Sequence, residues 1–122
     1  MDTKQVGEKL VALCKEGKNL EAIATLYDDN IVSVEAMVPP DMARETQGID
    51  GVRGKNEWWI GNHDVHSASS DGPFVNGDQF AVIYDYDVTA KAGPQAGQRF
   101  QMKEVGVYTV ANGKVVREVF HY

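Results

Sequence analysis

Three glutamates stand where a packing face would carry none. In the run from Gln98 to Ala111, one side of an alternating pattern carries Phe100, Met102, Glu104, Gly106 and Tyr108. In the run that follows, Glu118 shares its parity with Phe120 and Tyr122, and earlier in the chain Glu35 shares a side with Ile31 and Ser33. Side chains two apart lie on one face of a strand, so in the last two runs carboxyls are mixed with large apolar groups. A face meant only for packing has little use for such acids, whereas a face lining a ligand cavity does. A carboxyl among apolar side chains is hard to ionise, because desolvation raises its pKa. Two carboxyls sharing a small cavity push their pKa values apart, so that one becomes the acid and the other the base. The chemistry this suits is proton transfer beside a carbonyl: isomerisation, aldol-type cyclisation or dehydration. The competing reading makes these acids solvated strand residues, or partners of Arg44, Arg53 or Arg117.

His63 ends a helical face that carries Val52, Lys55 or Asn56, and Trp59. It suits an acid–base or hydrogen-bonding group at a pocket mouth, or a helix-end histidine bonded to a terminal carbonyl. Trp58 is rotated by about 100° from Trp59, so the two indoles face different ways, one for the core and one for an aromatic wall. His66 and His121 are expected to face outward. The run Gln79–Thr89 has Phe80, Val82, Tyr84, Tyr86 and Val88 on one side and Ala81, Ile83, Asp85, Asp87 and Thr89 on the other. Turned inward, Asp85 and Asp87 would meet a ligand, or join Glu35, Glu104, Glu118 and His63 in an oxygen-rich metal site. No spacing typical of metal ligands supports the latter, so neither metal nor cofactor is expected.

The elements that must position these groups follow from caps and periodicity. Asp2 and Gln5 form a capping box, Val6, Leu10, Leu13 and Cys14 recur at helical spacing, and Gly17 stands at the C-cap. Cys14, on that apolar stripe, reads as a structural thiol. Asn19 can cap a second helix with Leu20, Ile23, Leu26 and Tyr27 on its inner side, ended by Asp28-Asp29-Asn30. A short strand covers Ile31–Glu35. Val38-Pro39-Pro40-Asp41 is loop, and Met42–Gln47 carries no decisive pattern. Asp50 caps a third helix from Gly51 to about Asn62. Period two then takes over: a polar strand His66–Ser70 closed by Asp71-Gly72-Pro73, a turn at Asn76-Gly77-Asp78, the strand Gln79–Thr89, and a Gly-rich connection over Lys91–Gly97. Asn112-Gly113 between two β-branched runs is a strong hairpin signal. Helices segregated from an antiparallel sheet mean an α+β fold, and helices on its inner side give a cone with a pocket in its mouth.

A chain of 122 residues with 43% apolar content fits one ordered domain. A net charge of −6 disfavours nucleic acid and anionic membrane surfaces as partners. No run has the length of a membrane span, the N-terminus lacks the apolar core of a signal peptide, and a lone cysteine gives no disulfide framework. A soluble, cytoplasmic protein is therefore expected.

The phrases LYDDNIVSVEA, GIDGVRGKNEWW and EVGVYTVANGKVVREVFHY, in that element order, resemble the nuclear transport factor two-like superfamily, most of all its SnoaL-like group. The resemblance covers essentially the whole chain. It implies a cone-shaped α+β barrel, with three helices in the concave face of a curved, mainly antiparallel sheet. Ketosteroid isomerase, polyketide cyclases, scytalone dehydratase and limonene epoxide hydrolase share that fold, so fold alone does not choose the chemistry. By likeness to ketosteroid isomerase, Glu35 takes the place of the general base and Glu104 that of the second acid, with Glu118, Phe120 and Tyr122 on the wall. Leu10 stands where that enzyme has its catalytic tyrosine, a departure from the pattern.

The superfamily's inward parity would turn Asp85 and Asp87 into the cavity and Tyr84 and Tyr86 outward. The last two, with Val82 and Val88, would then form an apolar face for a homodimer. The resulting expectation is a cofactor-independent acid–base enzyme acting on a small, apolar, carbonyl-bearing molecule. Glu35, Glu104 and His63 are its catalytic candidates. Tyr27, Trp58, Trp59, Asp85, Asp87, Phe100, Met102, Tyr108, Glu118, Phe120 and Tyr122 would line the substrate. The alternatives are a non-catalytic dimeric ligand-binding or accessory domain, and an interaction module whose cavity is filled by side chains.

Overall fold

The capping box at Asp2 opens the first helix. The Asp2 carboxylate accepts from the Gln5 N–H at 2.8 Å, and the Gln5 side chain accepts from the Asp2 N–H at 3.0 Å. The computed structural model describes all 122 residues. Helix α1 spans Thr3–Lys15 and buries Val6, Leu10 and Val11. Gly7 is its point of closest approach to the sheet: a Cβ there would lie 2.8 Å from Pro73 and 3.1 Å from Phe80. Helix α2, Asn19–Leu26, begins at Asn19, with Lys18 as a cap that supplies no side-chain bond. Leu20, expected inside, is exposed. Tyr27 starts strand β1 (Tyr27–Val34), so Asp28-Asp29-Asn30 runs on as strand and does not close the helix.

A three-residue strand β2, Glu45–Gln47, pairs antiparallel with β1. Helix α3, Ile49–Gly61, is capped at Gly48, whose φ of +89° suits glycine. Asp50 is thus inside the helix and pairs with Arg53. Strand β3 runs without interruption over His63–Asn76. Asp71-Gly72-Pro73 does not end it; a register shift between Asp71 and Phe74 absorbs the proline as a local irregularity. Strands β4 (Gln79–Ala90), β5 (Arg99–Ala111) and β6 (Lys114–His121) complete an antiparallel meander.

The sheet is open and six-stranded, in the order β2-β1-β6-β5-β4-β3. Only β1 and β6 run parallel, and this one pairing joins the N-terminal half to the meander. The three helices pack against one face, giving the α+β cone. Its core holds Leu10, Leu26, Ile31, Val52, Phe80, Val82, Tyr84, Tyr108 and Val115.

That core reverses the expected parity of β4. Phe80, Val82, Tyr84 and Val88 are buried, Tyr86 packs against the same core, and Asp85 and Asp87 lie on the opposite face. The register explains why. Tyr84 stands opposite Glu104, Tyr86 opposite Met102 and Phe80 opposite Tyr108, and residues directly opposite share a face. An inward Glu104 therefore brings the aromatic side of β4 inward with it. The apolar residues expected to form a dimer face are thus consumed by the core. On the outer face Arg99 grips Asp87 with two bonds of 2.9 and 2.8 Å, and Lys103 lies 3.7 Å from Asp85.

Candidate functional site

Glu118 is the deepest acid in the molecule, only 1% exposed. Register places it beside Ser33 across the parallel β1–β6 pair and opposite Tyr108 on β5. A buried carboxyl needs donors, and it has two. The Tyr27 hydroxyl donates to Oε2, and the Ser33 hydroxyl donates to Oε1 at 2.8 Å. Ser33 in turn accepts from Lys55 Nζ at 2.6 Å. Lys55, reaching down from α3, also pairs with Glu35 Oε1 at 2.9 Å, and Tyr122 donates to Glu35 Oε2 at 3.0 Å. A continuous polar chain thus runs from the partly exposed Tyr122 through Glu35, Lys55 and Ser33 to Glu118 and Tyr27. Burial pushes the Glu118 carboxyl up, while Tyr27, Ser33 and Lys55 oppose it.

Glu104 differs. It is half-buried on β5, and no hydrogen bond supports its ionised form. Burial first, then the neighbouring charges of Glu35 and Glu118, push its carboxyl up to about 7, with Lys55 pulling the other way. Opposing causes of this kind are how a protein places a carboxylic acid near neutral pH.

Both acids line one partly open cavity of about 70 Å³ between the helices and the sheet. Its aromatic walls are Tyr27, Tyr84, Tyr86, Tyr108 and Phe120, with Leu10, Cys14, Ala22 and Ile23 from the first two helices and Asn19 and Asn56 as polar points. The Tyr84 and Tyr108 hydroxyls are bonded at 2.6 Å, and the Tyr108 ring stacks on Phe80 at 4.8 Å. Gly106 makes room for that ring, since a Cβ there would lie 2.8 Å from it. The Cys14 thiol is pushed up to about 11 by burial, which keeps it protonated and makes it a poor nucleophile.

Of the expected site residues, the structure brings Tyr27, Glu104, Tyr108, Glu118 and Phe120 together at the cavity. Glu35 and Tyr122 do not line it; Glu35 is held by Lys55 and by the Tyr122 hydroxyl. His63 lies outside the lining: its ring stacks on Trp59 at 4.4 Å, and its Nδ1–H donates to the Trp59 carbonyl at 2.8 Å, the helix-end arrangement. Trp59 tilts onto Tyr86 at 5.5 Å and so backs the wall without facing the cavity, while Trp58 is 60% exposed. Phe100 sits edge-on to His63 at 6.5 Å. Met102, Asp85 and Asp87 border a shallow, open depression of about 530 Å³ and do not reach the cavity. Tyr84 and Tyr86 on the lining, and Lys55 and Ser33 in the chain to Glu118, lie outside the set expected from the sequence. Ser33 could have been found from its parity between Ile31 and Glu35. Lys55 was one of two residues competing for the same helical face.

An open, curved sheet wrapped around helices, with a mixed polar and aromatic cavity between them, is the architecture of the nuclear transport factor two-like folds. The chain belongs to the SnoaL-like family: the sequence model of the SnoaL-like domain matches residues 1–122. A Mesorhizobium loti protein of known structure is 43% identical over 100% of both chains, with a TM-score of 0.91. It carries the provisional description of a SnoaL-like polyketide cyclase, with carbohydrate phosphatase beside it. An NTF2-like protein of Burkholderia thailandensis shares 17% identity over 99% of this chain and 90% of its own, with a TM-score of 0.79. A Catenulispora acidiphila protein with a ketosteroid isomerase-like fold, solved with trimethylamine, shares 16% over 98% and 86%, with a TM-score of 0.72. The last two likenesses concern the fold alone. No curated protein matches the sequence.

Proposed function

We propose that this protein binds a small, largely apolar, carbonyl-bearing molecule in the cavity and moves a proton on it without a cofactor, as an isomerase, cyclase or dehydratase does. The observation that carries this reading is the placement of two carboxyls on one small, aromatic-lined cavity. Glu104 lacks a hydrogen-bond donor and is poised near 7, while Glu118 is held by two donors. A neutral Glu104 can donate to a carbonyl oxygen while an ionised Glu118 accepts a proton from the adjacent carbon. At about 70 Å³ the cavity has room for the reacting end of such a molecule, with the remainder lying outside it. The two activities named for the Mesorhizobium loti relative are chemically unlike, so kinship supports a cavity fold and leaves the reaction to the side chains. The outer sheet face retains an apolar patch of Ala81, Ile83, Val105, Val107 and Val119, each half-buried, and a homodimer would form there.

The test is hydrogen–deuterium exchange at the α-carbon of a simple enolisable cyclic ketone, followed by NMR with the wild-type chain and with Glu104→Gln. The reading predicts catalysed exchange that falls by about 10²-fold or more in the variant. Binding of the ketone with equal exchange in both proteins would leave a ligand-binding domain in place of an enzyme.

A further inference from the structure

The donors around Glu118 have a fixed polarity. Lys55 Nζ lies 2.6 Å from Ser33 Oγ, and an ammonium has only protons to give. Ser33 therefore turns its single hydroxyl proton to Glu118 Oε1, 2.8 Å away. Tyr27, whose phenol burial keeps protonated, donates to Oε2. Both oxygens of Glu118 accept, which is the pattern of an ionised carboxylate. Lys55 is itself held by Glu35 at 2.9 Å and lies 5.7 Å from the centre of the Phe120 ring, so its position is set from both sides. The other titratable groups around Glu118 are Glu35 just after β1, Glu104 and Tyr108 of β5, Tyr84 of β4 and Cys14 of α1. All of these are acids, and Lys55 is the one cation that acts on Glu118.

We propose that Lys55 is the positioning residue that assigns the two cavity carboxyls their roles. Acting through Ser33, it fixes Glu118 as the proton acceptor and leaves Glu104, which has no such donor, as the proton donor. This rests on the acid–base reading of the cavity given above. In the step it serves, Glu118 takes the proton from the carbon beside a carbonyl. The C–H electron pair becomes the new C=C bond, the carbonyl π pair moves to oxygen, and Glu104 delivers its proton there. A neutral enol forms, with Glu118 protonated and Glu104 ionised. Return of a proton from Glu118 to the same or a conjugated carbon, with the enol proton passing back to Glu104, restores both groups.

The test is a pH titration of the ligand-free full chain carrying carboxyl-labelled glutamate, read by ¹³C NMR for wild type, Lys55→Met, Lys55→Arg and Ser33→Ala. The expected result is a Glu118 midpoint raised by about one pH unit or more in Lys55→Met, a tenfold change in its ionisation equilibrium. Ser33→Ala should show a smaller rise, and Lys55→Arg a return toward wild type. A Glu118 midpoint that stays at the wild-type value in Lys55→Met would overturn the proposal even where Ser33→Ala moves it, whatever those variants do to thermal stability. Should Lys55→Met fail to fold, Lys55→Gln takes its place, because Ser33→Ala removes the hydroxyl donated to Glu118 Oε1 along with the link to the ammonium. The titration needs no substrate. A raised midpoint together with absent ketone exchange in the wild type would therefore reject the reaction while leaving Lys55 as the residue that sets Glu118.

Discussion

Glu104 pays for its position in stability, and the sign of that cost can be worked out. Its carboxyl stands at about 7 in the folded chain, well above the ordinary glutamate value. Between those values the folded state binds the extra proton, so stability is greatest below the unfolded pKa and falls as pH rises through about 7. Replacing the acid by its neutral isostere removes the penalty. Glu104→Gln is expected to stabilise the protein above pH 8, by on the order of 2–3 kcal/mol at most, and to change little at pH 4. Thermal denaturation of both proteins across that range checks it, and a variant less stable than wild type at pH 8 would contradict it. Much of this was open to inspection in the residues: Glu104 and Glu118 stood out because each shares a strand face with aromatic groups. Their partners did not, since Tyr27 and Ser33 reach Glu118 only through the parallel β1–β6 pairing. A pairing between distant strands leaves no mark in local periodicity.

At the scale of elements, glycines show where helix and sheet touch. Alanine is the better helix former by about 1 kcal/mol, so Gly→Ala within a helix tests whether space exists for one methyl. Gly7 on α1 has none, with Pro73 at 2.8 Å, whereas Gly54 on α3 has nothing within 4 Å. Gly54→Ala should stabilise by up to about 1 kcal/mol, and Gly7→Ala should destabilise by about 1–3 kcal/mol through overpacking. Urea denaturation of the pair reads the opposite signs directly. On β5, Gly106→Ala should displace the Tyr108 ring and weaken its 2.6 Å bond to Tyr84, at a cost of about 1–3 kcal/mol and a change in near-ultraviolet circular dichroism. Helix α1, the Asn-Gly hairpin and the four-strand meander were legible because caps, turn residues and periodicity act locally. The parity of β4 was not settled by its own residues, since a strand with aromatic groups on one side and aspartates on the other can face either way. What settles it is its register with β5, which sets Tyr84 against Glu104.

For the molecule as a whole, one cavity does the organising. The helices bury an apolar face against the concave side of the sheet, and the long strands carry acids into the same space from β5 and β6. Lys55 from α3 is the lone cation that reaches them, so the cavity's charge depends on one helix remaining docked on β1. No helix is long and apolar enough to cross a membrane. Membership of the SnoaL-like family accounts for the frame, and the proposed proton transfer rests on the Glu104, Glu118 and Lys55 constellation. The most direct measurement of that claim is the midpoint of the Glu104 carboxyl, followed by ¹³C NMR on the ligand-free wild-type chain. The account predicts titration near 7. A midpoint near the ordinary glutamate value of about 4.3 would mean that the acid is solvated, and would remove the proton-transfer centre on which the proposed function stands.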